Sequence, residues 1–78
     1  MKQLLEHIVR ALVDNPDQVE VRTIEEERAI ILELRVAPED MGKVIGKHGR
    51  IAKAIRIVIN SAAMRDDRRV VVEIIQSG

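Results

Sequence analysis

Two glycines three residues apart enclose a basic pair in the stretch VIGKHGRIAKAI, Val44 to Ile55. Glycine lets a chain take positive φ, and without a Cβ it lets another molecule come close to the backbone. The first amides of a helix have no acceptor within it and sit at the positive end of its dipole. Lys47 and His48 would reach the same point. Gly46, Lys47, His48 and Gly49 can therefore act as a phosphate clamp. The same spacing also serves a plain turn between two helices. One glycine suffices for a turn. The second, at the first turn of a helix, costs about 1 kcal/mol relative to alanine, and close approach of an anion would offset that. Spacing alone leaves both alternatives open.

The charge around this stretch is one-sided. The 78 residues sum to zero, yet residues 1–40 carry five basic and ten acidic side chains, and residues 41–78 carry eight and three. Between Met41 and Arg65 there is no acid, against Lys43, Lys47, Arg50, Lys53, Arg56 and Arg65. A basic helix on a neutral protein points to a local anion site, although a charge run also occurs as a solvated face. Other chemistry finds little support. Without cysteine there are no disulfides and no thiolate chemistry, which is compatible with a cytoplasmic location. His7 and His48 have no metal-ligand spacing, Ser61 has no partner pattern, and Glu25–Glu27 read as a charged turn. Neither catalysis nor a cofactor is expected. With no Phe, Tyr or Trp, a nucleic-acid site here cannot rest on aromatic stacking. The N-terminus lacks the apolar run of a signal peptide, and nothing approaches the length of a membrane span.

The elements that must hold the clamp follow from periodicity. Leu4, Leu5, Ile8, Val9, Leu12 and Val13 recur at helical spacing, and DNPD stops that helix at Pro16. QVEVRTI alternates as a half-buried strand. After the EEER turn, AIILELRVA places Ile30, Leu32, Leu34 and Val36 on one face, so the two strands form an antiparallel hairpin. Pro38 opens a short helix with Glu39 and Asp40 in its first turn, where the dipole favours acids. MGKVI continues it to Gly46, where positive φ is wanted. A longer helix runs from about Arg50 to Met64, with Ile51, Ala54, Ile55, Val58 and Ala62 at helical spacing. RDDR turns the chain, RVVVEII is the last strand, and QSG is a frayed tail. The order helix, strand, strand, helix, helix, strand gives one two-layer α+β domain over residues 1–78, a three-stranded sheet with its helices on one face. Val71 and Ile75 would then lie on the open face, as a dimer patch or merely as part of an edge strand.

VIGKHGRIAKAIR resembles the signature of the KH domain, in which a Gly-x-x-Gly loop joins two helices after an Ile-Gly and before an Ile. The matching residues are Ile45, Gly46, Lys47, His48, Gly49 and Ile51, and the element order fits the type II arrangement over nearly the whole chain. LVDNPDQVEVR and the loop together are similar to the KhpA family of small bacterial RNA-binding proteins. The resemblance implies cytoplasmic binding of single-stranded RNA, with a KH loop clamping about four nucleotides of backbone. It implies that Gly46 and Gly49 admit the sugar-phosphate chain, Lys47 and His48 contact phosphates, and Arg50 and Lys53 extend a basic rail. Ile45, Ile51, Ala52 and Ile55 would form an aliphatic floor, with a sheet edge as the far wall. It further implies RNA-chaperone and regulatory roles tied to cell elongation and envelope growth. The expected assembly is a homodimer, or a heterodimer with a larger KH-containing protein of the KhpB or Jag type, without membrane attachment. Two rivals remain: a helix-turn-helix DNA reader, and an interaction module whose loop does nothing.

Overall fold

The computed structural model describes residues 1–64 and 67–75. Helix α1 spans Lys2–Leu12, strand β1 Glu20–Glu25, strand β2 Ala29–Arg35, helix α2 Met41–Ile45, helix α3 Arg50–Ala62 and strand β3 Arg69–Ile75. This is the expected order. Short 3₁₀ turns at Pro16–Gln18 and Pro38–Asp40 each begin with proline, whose fixed φ suits a first helical position. The expected QSG tail lies outside the described residues, as does part of the RDDR turn.

The sheet runs β1-β2-β3, with β2 in the centre. β1 and β2 are antiparallel, with Val21 opposite Leu34, and β2 and β3 are parallel, with Leu32 beside Val72. Period-2 alternation sends Ile30, Leu32, Leu34, Val70 and Val72 to the covered face, all buried. Leu5 and Val9 of α1, Val44 of α2, and Ile55 and Ile59 of α3 complete that core. On the open face Arg22 stands opposite Glu33, and Val71 and Ile75 are half-buried there. Ile24, Ile31 and Val71 form one aliphatic row across the three strands of that face.

Helix α3 departs from the expected stripe. Ala54, Val58 and Ala62 are exposed; Ile55 is buried as expected, and Ala52 and Ile59 are buried with it. The reason is an excess of aliphatic residues. From Ile51 to Ile59 several overlapping stripes have helical spacing, and sequence cannot say which one meets the sheet. The helix docks on the 52–55–59 line. Ile57 and Val58 are left 56% and 45% exposed.

Candidate nucleic-acid interface

The chain leaves α2 at Gly46, whose amide donates to the Gly42 carbonyl at 2.8 Å. Gly46 has φ 76° and ψ 175°, a region open essentially to glycine alone. A Cβ added there would lie 2.5 Å from Cγ1 of Ile51. This glycine is therefore required by its own fold: Ile51 fills the space that a side chain would need. Gly49 is different. It has φ 73° and ψ 15°, and nothing lies within 4 Å of a Cβ built on it. Of the pair, Gly49 is the one that leaves its surroundings open to an incoming backbone.

Between them, Lys47–Gly49 make a single 3₁₀ turn. His48 takes φ 59° and ψ 25°, the sole non-glycine residue with positive φ among the described residues. Such a conformation is uncommon for an L-residue, though histidine is among those that tolerate it. Nothing in the residue pattern signals it. Gly49 donates to the Gly46 carbonyl at 3.2 Å, and the Arg50 amide donates to Lys47. Two of the loop amides are thus spent on the turn. The Lys47 and His48 amides have no acceptor among the described residues, and α3 starts without a side-chain cap.

The cations sort themselves by partner. Lys47, Arg50 and Lys53 are exposed and have no ion-pair partner among the described residues. Lys43 does not continue that rail: its ammonium pairs with Asp14 and lies 3.9 Å from Asp40. The Asp14 carboxylate accepts from it and raises the Lys43 pKa, outweighing partial burial. Nη1 of Arg68 donates to the Glu25 carboxylate at 3.2 Å. His7 is exposed on α1.

The aliphatic residues divide too. Ile45 is 37% exposed beside the loop and Ile51 is half-buried, so both border the surface. Ala52 and Ile55 are buried and face the core. The sheet edge beside α3, which the sequence did not identify, is β3. It is an edge strand running along α3, and between them lies a cleft of about 150 Å³ lined by Arg56, Asn60 and Arg69–Val72. Nε of Arg56 donates to the Val72 carbonyl at 3.4 Å across it. Lys53, Arg56 and Asn60 therefore follow one side of α3 from the loop to this cleft. Their spacing of three and four residues was the available signal for Asn60, which the sequence analysis did not single out.

Asp40 is the one buried charged or polar residue among those described, with no exposure. Burial works against its charge. Hydrogen bonds from the Asn15 side chain and from the Asp14 and Asn15 amides, with Lys43 nearby, outweigh that and hold its pKa below the ordinary aspartate value. Among the described residues no cluster of His, Cys, Asp and Glu could hold a metal ion, and no helix is long and apolar enough to cross a membrane.

A family model described as the KhpA/KhpB KH domain matches residues 2–74. The chain is 68% identical over 75 residues to a protein of Clostridium acetobutylicum named RNA-binding protein KhpA, covering 96% of this chain and all of that one. It is 60% identical over 75 residues to a protein of the same name from Caldanaerobacter subterraneus subsp. tengcongensis, with the same coverage. A third of that name, from Borreliella burgdorferi, is 49% identical over 73 residues, 94% of this chain and 89% of that one. No solved structure gives a significant match.

Proposed function

The chain belongs to the KhpA/KhpB KH-domain family, and from that premise we propose that it is a single KH domain that binds single-stranded RNA at the Gly46–Gly49 loop. The observation that carries this is the placement, on one loop and the first turn of α3, of two acceptor-free amides, those of Lys47 and His48, and three exposed cations without an ion-pair partner among the described residues, Lys47, Arg50 and Lys53. A phosphate supplies both the acceptor and the counter-charge. His48 and Gly49 both take positive φ. Gly49 leaves room for the sugar-phosphate chain, while Gly46 secures the loop through Ile51. Bases lie over Ile45 and Ile51, and the strand continues along the cleft between α3 and β3 past Arg56, Asn60 and Arg69.

The contacts are few, so one domain binds weakly. For two or three phosphates on a single strand the salt slope is roughly −1.5 to −2. Pairing two domains raises apparent affinity through effective concentration, which favours a homodimer or a heterodimer with a larger KH-containing partner of the KhpB or Jag type. The exposed Ile57 and Val58 on α3, and the aliphatic row on the open sheet face, support an assembly of that kind. In the cell we assign the protein a cytoplasmic RNA-chaperone or post-transcriptional role connected to elongation and envelope growth.

The test is fluorescence polarisation of a labelled, unstructured RNA with the wild type and with the Lys47→Asp, His48→Asp double variant. Both side chains are exposed, so the variant should fold and assemble as the wild type does while RNA binding is lost. Unchanged binding would show that the loop is not the site and favour the interaction-module alternative. Preference for duplex DNA of equal length would favour a helix-turn-helix reader.

A further inference from the structure

Asp40 stands at the N-cap of α2, where an aspartate usually accepts hydrogen bonds from the first amides of its own helix. It makes no such bond. Its Oδ1 accepts from the Asp14 amide at 3.2 Å, and its Oδ2 accepts from the Asn15 amide and the Asn15 side chain, each at 3.0 Å. Two successive amides just past the end of α1 thus form a small nest around a carboxylate 25 and 26 residues further along the chain.

The consequence lies in what Asp40 holds at its other side. Helix α2 has five residues, too few to be stable in isolation. Its placement depends on its anchors: Asp40 at the start, Lys43 paired with Asp14, Val44 in the core with Met41 packed against it, and Gly46 against Ile51 at the end. Removing the first anchor lets the helix pivot on Val44, and the loop lies at the far end of that lever. We infer that Asp40 is a positioning residue for the loop: its carboxylate fixes α2 to the end of α1 and thereby sets where the Lys47 and His48 amides point. The affinity part of this inference rests on the RNA-binding proposal; the loop geometry does not.

The sign of the effect separates positioning from charge. Asp40→Asn makes the protein more positive by one unit, so Coulomb attraction alone would tighten RNA binding. Displacing the loop weakens it. The experiment compares wild type, Asp40→Asn and the milder Asn15→Ala, which removes one of the three bonds. Amide resonances of residues 46–49 are recorded by ¹⁵N NMR in the free proteins well below melting, and RNA affinity is measured at several salt concentrations. The expected result is displaced loop resonances in both variants, larger in Asp40→Asn. Affinity should fall roughly three- to tenfold, with the salt slope unchanged because no phosphate contact is lost. A purely structural role would lower the melting temperature and leave the loop amides where they are. Unmoved loop amides, or tighter binding by Asp40→Asn, overturn the inference. If Asp40→Asn does not fold, Asn15→Ala decides on the same readouts. If the wild type binds no RNA, the functional proposal fails and the loop resonances still decide this one.

Discussion

Gly46 and Gly49 look equivalent in the sequence, and replacing each by alanine should show that they are not. At Gly46 the new methyl carbon would overlap three atoms of Ile51, at 2.5, 2.9 and 2.9 Å. The far end of Ile51 cannot swing away freely, because one of the three is its own Cβ. Overpacking of this kind costs about 1–3 kcal/mol, and holding alanine at φ 76°, ψ 175° costs a further ~1–3 kcal/mol. The sum, about 2–6 kcal/mol, compares with a total stability of roughly 4–12 kcal/mol for a chain of this size. At Gly49 there is no overlap, and only the left-handed backbone is penalised, by about 1–2 kcal/mol. For a domain of this length each kcal/mol moves the melting temperature by roughly 4–8 °C. Gly49→Ala should therefore melt about 5–15 °C below wild type and Gly46→Ala at least twice as far below. With no aromatic residue to report by fluorescence, the assay is urea and thermal unfolding followed by far-UV circular dichroism. A third variant isolates the cause. Ile51→Ala destabilises on its own, but in the Gly46→Ala background it removes the overlap, so the double variant should be more stable than additivity predicts by about 1–3 kcal/mol. Equal costs at the two glycines, or strict additivity with Ile51, would refute the argument that Ile51 is what demands Gly46.

Two other outcomes follow from the same geometry. Gly42 lies exposed inside α2, with nothing within 4 Å of a Cβ built on it, so Gly42→Ala should stabilise the domain by about 0.5–1 kcal/mol in the same urea titration. The depressed pKa of Asp40 sets a pH dependence, with Lys43 and Asp14 as the charged groups beside it. A carboxyl whose folded value lies below its unfolded one contributes stability in full above the unfolded value, and that contribution is lost as pH falls through the folded value. Wild-type stability should therefore decline below about pH 4. Asp40→Asn should be less stable at neutral pH and show a shallower decline on the acid side. Parallel acid profiles for the two proteins would contradict the assignment.

What the sequence disclosed, and what it withheld, divides by the range of the interaction. Strands β1 and β2 were legible because alternation is a local property: Ile30, Leu32 and Leu34 can share a face in only one way. The loop was legible as a whole because Gly46 ends one helix and Gly49 precedes another within four residues. The two glycines could not be told apart, since what distinguishes them is a contact with Ile51 across the turn. The stripe on α3 was misassigned because its aliphatic residues outnumber the positions a docked helix can bury, and the choice among stripes belongs to the sheet. The place of Arg69 beside α3 was not legible because β3 approaches α3 only after the whole domain has closed.

Asp40 shows the same limit in its sharpest form. As one of two acids after Pro38 it read as an ordinary favourable charge at a helix start, and a local account was sufficient. Nothing near it in sequence calls for burial. The partners come from Asp14 and Asn15, whose amides follow the end of α1 and donate to the Asp40 carboxylate. Those hydrogen bonds offset the cost of burying the carboxylate. The end of α1 thus supplies the donors that the start of α2 accepts. The element carrying the proposed anion-binding loop is placed by the way the first helix ends, and the site proposed for RNA is a property of the whole domain rather than of the four residues that mark it.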